Sequence, residues 1–202
     1  MAAGDLAPTR SVILHLREEQ DVVLEAYDFL DEKRLLLAAE LLRQLRRYEQ
    51  LLQDYETLRQ QAERALVTTI SRHGFHGTQV YPGHYLEDAD MQINQSMFMG
   101  VKLATTILEL PDYHEPQHIC HPSPEAEQCR HVFRDMVQLA GVIAGVSGNL
   151  HRLLAEYRRT ERRARALENI VIPELTQQLR TLTTQLEELE QEDIVRVHVK
   201  HR

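Results

Sequence analysis

Tryptophan is absent from this chain, aromatic residues make up 5% of it, and only two cysteines occur, Cys120 and Cys129. Each shortage removes an architecture. Few bulky aromatic rings leave little to fill a thick globular core, and two cysteines cannot staple a small secreted fold. Between Thr9 and Ile70 there is neither glycine nor proline, so nothing there breaks a helix. No apolar run reaches the roughly 18 residues that span a bilayer, and residues 1–10 lack the apolar stretch of a signal peptide. These absences predict a cytoplasmic protein with no direct membrane insertion. The formal net charge is −8, which argues against a nucleic-acid partner, since that role needs a basic surface to displace counterions. Also missing are Gly-x-x-x-x-Gly-Lys-Ser/Thr, Gly-x-Ser-x-Gly and His-Glu-x-x-His, which cradle phosphate, expose a nucleophile or hold zinc. The chain is therefore expected to be no enzyme in itself, with no catalytic residue, no cofactor and no metal.

What is present is charge, at 27% of residues, set among long stretches of Leu, Ala, Glu, Gln and Arg. That mixture predicts extended helices with narrow apolar seams. Leu41, Leu45, Tyr48, Leu52 and Tyr55 recur at three-four spacing in a first helix over 9–70, started by Thr9 or Ser11 as cap. About sixty helical residues at 1.5 Å each would reach about 90 Å. The texture changes over 71–123, where Pro82, Pro111, Pro116 and Pro122 mix with Gly74, Gly77, Gly83 and Gly100. This is an insert, with a short hairpin expected around Met97–Leu103 and Thr105–Leu108.

Ser123-Pro124-Glu125 starts a second long helix over 124–198: a capping hydroxyl, proline at the first position, acid at the positive end. Gly141, Gly145 and Gly148 weaken it or admit a neighbouring backbone. The seam Leu153, Tyr157, Thr160, Ala164, Leu167, Val171 then slips by one four-residue step to Leu175 before Leu179 and Leu182. Such a stutter unwinds a supercoil locally. Pro173 lies beside it, where a proline in a regular helix would cost about 3 kcal/mol. A kink is expected there, and a gain of about 1 kcal/mol or more from Pro173→Ala. The fold class is all-α: a long antiparallel two-helix coiled coil from the terminal segments, with a small irregular or short-β insert at the turn. Residues near Leu41–Tyr55 are expected to lie against Tyr157–Val171.

His118, Cys120, Cys129 and His131 contain zinc-binding residue types, yet zinc sites show paired ligands at two- to four-residue spacing and no such double pair occurs. The histidines read as exposed loop residues. Arg158, Arg159, Arg162, Arg163 and Arg165 form a basic belt, with Arg43, Arg46 and Arg47 on the first helix. Such runs are commonly solvated faces; at one level along two paired helices they would form an outward ring able to meet acidic groups.

The run Arg162-Arg163-Ala164-Arg165-Ala166-Leu167-Glu168-Asn169-Ile170-Val171-Ile172-Pro173 resembles the Arg-Arg-x-x-Ala-Leu-Glu-x-x-x-Ile-Pro motif of the D subunit of the prokaryotic V/A-type rotary ATPases. Pro8-Thr9-Arg10 and Leu30–Leu36 are similar to that family's first helix, and Met99-Gly100-Val101-Lys102 to its short Met-Gly-Val segment. Ala164 and Arg165 stand where the family tends to carry Val and Asn. The resemblance implies a central-stalk rotor subunit that couples ATP hydrolysis or synthesis to rotation of a membrane ring and transport of H⁺ or Na⁺. It implies as partners the catalytic and non-catalytic subunits of the ATPase hexamer, a small central-stalk F subunit on the shaft's flank, and the ring-docking subunit of the membrane sector. Leu167, Val171, Leu175, Leu179 and Leu182 would stiffen the shaft, Pro173 would curve it, and Arg162, Arg163 and Arg165 would meet the stator. It also implies a peripheral complex at the cytoplasmic face of the plasma membrane. The gamma shaft of F-type enzymes shares the plan, but its insert is a full α/β domain, for which about fifty residues are too few. A free-standing coiled-coil adaptor or dimeric scaffold would show the same stripes and composition, and a metal-binding regulatory protein is a further alternative.

Overall fold

A computed structural model describes residues 7–81, 89–110 and 123–200 of the chain. The fold is mostly helical, with a small two-stranded sheet between a long first and a long last helical segment. Helix α1 is Arg10–Val80, strands β1 and β2 are Asp90–Phe98 and Val101–Glu109, and α2 is Pro124–Ala166. A π-helical turn over Leu167–Val171 joins α2 to α3, Ile172–Lys200. The chain divides into two compact units, one joining Met1–Leu36 to Tyr157–Arg202, the other comprising Leu37–Glu156.

In the first unit, Ile13 and Leu16 of α1 are buried with Leu175, Leu179 and Leu182 of α3, flanked by Val12, Val23, Val171 and Leu186. Spacings of three and four keep each set on one stripe of its helix, so the stripes close over each other and leave water. The helices are antiparallel: Arg10 pairs with Glu190 at 2.8 Å, and Gln20 Nε2 donates to Thr176 Oγ1 at 2.9 Å. The pairing is within one chain. Thr9 caps α1, its Oγ1 accepting from the Val12 N–H at 3.3 Å.

In the second unit, the Ser123 hydroxyl accepts from the Ala126 N–H at 3.2 Å, so Ser123 and Pro124 start α2 as the capping rules predict. Side chains fasten this start to the far part of α1. His73 Nε2 lies 2.6 Å from Ser123 Oγ, Arg72 meets Glu125 at 2.5 Å, and Tyr81 donates to Glu127 at 2.9 Å. α1 continues past Ile70 to Val80, but Gly74 leaves helical geometry with φ 71° and ψ 168°, a conformation that a side chain would oppose.

The hairpin turns through Met99 and Gly100, both at positive φ (47° and 84°), as a tight two-residue connection requires. Nine residues pair in continuous antiparallel register from Asp90↔Glu109 to Phe98↔Val101. β2 is held against α2 at two glycines. A Cβ on Gly141 would stand 2.9 Å from Leu108 Cβ, and one on Gly145 only 2.1 Å from Thr106 Oγ1. Thr106 Oγ1 donates to the Gly141 carbonyl at 2.8 Å. Asn149 completes the attachment: its Oδ1 accepts from the Ala104 N–H and its Nδ2 donates to the Ala104 carbonyl, both at 2.8 Å. One side-chain amide thus satisfies both backbone groups of a strand residue, as a third strand would. β1, by contrast, is exposed along almost its whole length.

The α1 stripe is more polar than periodicity suggests. Leu37 is buried, but so are Glu40 and Gln44, while Leu45 and Leu52, expected in the seam, are each 41% exposed. Arg43 holds Glu40 with two hydrogen bonds of 2.7 Å, and Gln44 Nε2 donates to it at 2.8 Å. The Arg43 hydrogen bond outweighs burial and keeps the Glu40 carboxyl below its ordinary pKa. A depressed pKa contributes stability that is present above about pH 4.5 and disappears as pH falls through the folded value. The stability difference between Glu40→Gln and the parent should therefore be largest near neutrality and shrink below about pH 4.5, as read from denaturant midpoints measured over pH 3–7.

Candidate functional site

Two surfaces stand out, one in each unit. The first is built around the π-turn. Its signature bond is the Ile172 N–H donating to the Leu167 carbonyl, a five-residue step where an α-helix takes four. Pro173 follows at once and has no N–H to offer the Asn169 carbonyl. In a regular helix its ring would also press on that carbonyl; a widened turn relieves the contact. The stutter and the proline, separate signals in sequence, are thus two aspects of one local structure. On its inner side the seam passes from buried Thr160 and Ala164, through half-buried Leu167 and Val171, to buried Leu175, Leu179 and Leu182. On its outer side Arg162, Arg163 and Arg165 are exposed, as are Arg158 and Arg159. Arg165 pairs with Glu161 at 2.7 Å, and Arg162 Nε donates to the Arg158 carbonyl at 3.3 Å. Arg158, Arg159 and Arg163 carry no ion pair among the described residues. Arg43, Arg46 and Arg47 belong to the other unit.

The second surface is an apolar groove of about 380 Å³ between α1 and α2. Leu41, Leu42, Leu45 and Tyr48 line one side, and Ser147, Leu150, His151 and Leu154 the other. Here α1 meets residues 147–154, which corrects the expected register of Leu41–Tyr55 against Tyr157–Val171. Leu41, Tyr48 and Tyr55 are half-buried. Leu42 at 55%, with Leu45 and Leu52, forms a second stripe beside the buried one, at steps of three and seven residues. These three leucines leave an apolar strip open to solvent, with Leu42 and Leu45 beside the α2 wall of the groove. Leu42 and Leu154 escape a reading of the sequence because they lie one position off the row that periodicity favours.

His118 and Cys120 lie outside the described residues. Cys129 is buried, burial pushing its thiol pKa up, and His131 is exposed. Among the described residues no three His, Cys, Asp or Glu side chains converge as a metal site, and no helix is long and apolar enough to cross a membrane.

Comparison with known proteins agrees with this geometry. The family of the ATP synthase D subunit matches residues 13–200. The V-type ATP synthase D subunit of Thermotoga neapolitana is 28% identical over 192 residues, covering 95% of either chain. The A-type ATP synthase D subunit of Methanosarcina acetivorans is 24% identical over 98% of this chain and 96% of its own. The V-type ATP synthase D subunit of Thermus thermophilus is 26% identical over 96% of this chain and 86% of its own. A family match spanning almost every described element, α1 through α3, carries the conclusion: this chain belongs to the ATP synthase D subunit family.

Proposed function

We propose that this chain is the central-stalk rotor subunit of a V/A-type ATPase or synthase. It contributes no catalytic group. It couples ATP hydrolysis or synthesis in a hexamer of catalytic and non-catalytic subunits to rotation of the membrane ring and transport of H⁺ or Na⁺, in a peripheral complex at the cytoplasmic face of the plasma membrane. The observation that carries the reading is the intrachain antiparallel packing of α1 on α3, with the family match over residues 13–200 beside it. A pair that satisfies its own seam needs no second copy, which disfavours the alternative, a self-associating coiled-coil scaffold. Coupling is allosteric: the nucleotide state of each catalytic site and the angle of the helix pair bias each other through contacts that differ with angle. Arg162, Arg163 and Arg165 are the stator contacts in this reading, and the hairpin side of the second unit faces the ring-docking subunit.

The groove of Leu42, Leu45 and Leu154 suits an amphipathic helix of the small central-stalk F subunit, laid in as a third strand of coiled coil. Purification of the tagged chain from its own cell should bring down the hexamer subunits and that small subunit. Leu42→Asp with Leu45→Asp should lose the small subunit and keep the hexamer. Recovery of the chain only as a homodimer would overturn the rotor reading.

A further inference from the structure

The π-turn does more than accommodate a proline. Arg158, Arg162, Ala166 and Ile170 recur at four-residue spacing on one exposed side of α2 and the turn. Ile170, at 54% exposure, is thus a large apolar side chain at the end of an exposed line that begins with two arginines. Leu167 and Val171 are the half-buried residues of the turn, Val171 lying against the α1–α3 core, while Glu168, Asn169 and Ile170 are exposed. If the aim were only to seal the helix pair, the extra residue would be superfluous. Without it the seam would read Leu153, Tyr157, Thr160, Ala164, Leu167, Ile172, Leu175, Leu179, Leu182 in unbroken alternating steps of four and three.

We propose that the π-turn, one residue longer than the regular seam repeat and closed by Pro173, presents Ile170 as an apolar contact next to the arginine line. The surface it fits carries acidic side chains around an apolar one, on the ring of subunits that surrounds this helix. Charge complementarity selects that partner. Arg158, Arg159 and Arg163 carry no ion pair among the described residues, and a π-turn on a helix surface is a recurrent mark of a functional contact. Arginines steer and orient the approach; the apolar side chain, once desolvated, holds it. The proposal rests on the rotor reading and assigns it a specific contact.

The test uses the full chain and the separately purified hexamer of catalytic and non-catalytic subunits. Ile170→Ser keeps the turn and should leave helical content and melting temperature unchanged. It should weaken hexamer binding about tenfold or more, since it exposes the loss of one buried aliphatic side chain. Ile170→Val should restore most of the affinity. Arg162→Gln should weaken binding less at high salt than at low, while the serine variant's defect should persist at both. Unchanged affinity for Ile170→Ser, with the parent binding well, would overturn this contact and leave the rotor reading intact. Failure of the parent itself to bind the hexamer would remove both.

Discussion

Gly145→Val should detach the hairpin from α2 and cost about 3 kcal/mol of stability, at the upper end of what overpacking usually costs. The position offers no room. The first added carbon would sit 2.1 Å from Thr106 Oγ1 and within 3.0 Å of that residue's other side-chain carbons. Thr106 cannot swing away freely, because its hydroxyl is committed to the Gly141 carbonyl. The strand must therefore move, and movement breaks both hydrogen bonds between Asn149 and Ala104. Gly148→Ala is the control. The atoms nearest its Cβ would be those of the Arg152 guanidinium, no closer than 3.6 Å, so it should be neutral or stabilising by about 0.5–1 kcal/mol through helix propensity. Urea midpoints and limited proteolysis of β1 read the two variants. If Gly145→Val behaves like Gly148→Ala, β2 is not anchored through the glycines.

Deleting Ile170 should cost about 3 kcal/mol, and combining the deletion with Pro173→Ala should recover most of that loss. The deletion converts the widened turn into a regular α-helical one, where the proline ring meets the carbonyl four residues back. Removing the proline as well leaves a regular helix whose seam continues in phase. Pro173→Ala alone should shift stability by less than about 1 kcal/mol, because the turn already relieves the clash. Thermal melts of the three variants decide the matter. Equal losses for the deletion with and without Pro173→Ala would show that turn and proline are independent.

That last expectation differs from the one the sequence suggests, and the reason is instructive. A proline in a helical repeat reads as strain in a regular helix, because one-dimensional periodicity carries no information on whether the helix stays regular. The stutter at Leu175 is legible, but its structural form, a five-residue hydrogen-bonded step at Leu167, is not. Caps are legible: Thr9 and Ser123 bond their own following residues, so the signal and its partner lie within one short segment. The role of Gly141 and Gly145 is half legible. Glycine in a helix announces close approach, but only the fold shows that β2 approaches. Register between α1 and α2 is not readable, because each stripe states which side is apolar and not which turn meets which. Buried Glu40 and Gln44 are invisible for a related reason. A carboxylate enters a seam when Arg43 and Gln44 bond it in place, and three polar residues within five look like a solvated face until the fold buries Glu40 and Gln44 and leaves Arg43 outside.

Asn149 offers an isotopic reporter. Its side-chain oxygen holds the Ala104 amide hydrogen, so that hydrogen exchanges with solvent deuterium only when the hairpin lifts from α2. Amides on the outer edge of β1 have no such guard and should exchange within the dead time of the experiment. The ratio of the two rates measures the opening of one attachment without unfolding the helices. If partner binding slows Ala104 while leaving α1 and α3 unaffected, the hairpin is the element that the partner clamps.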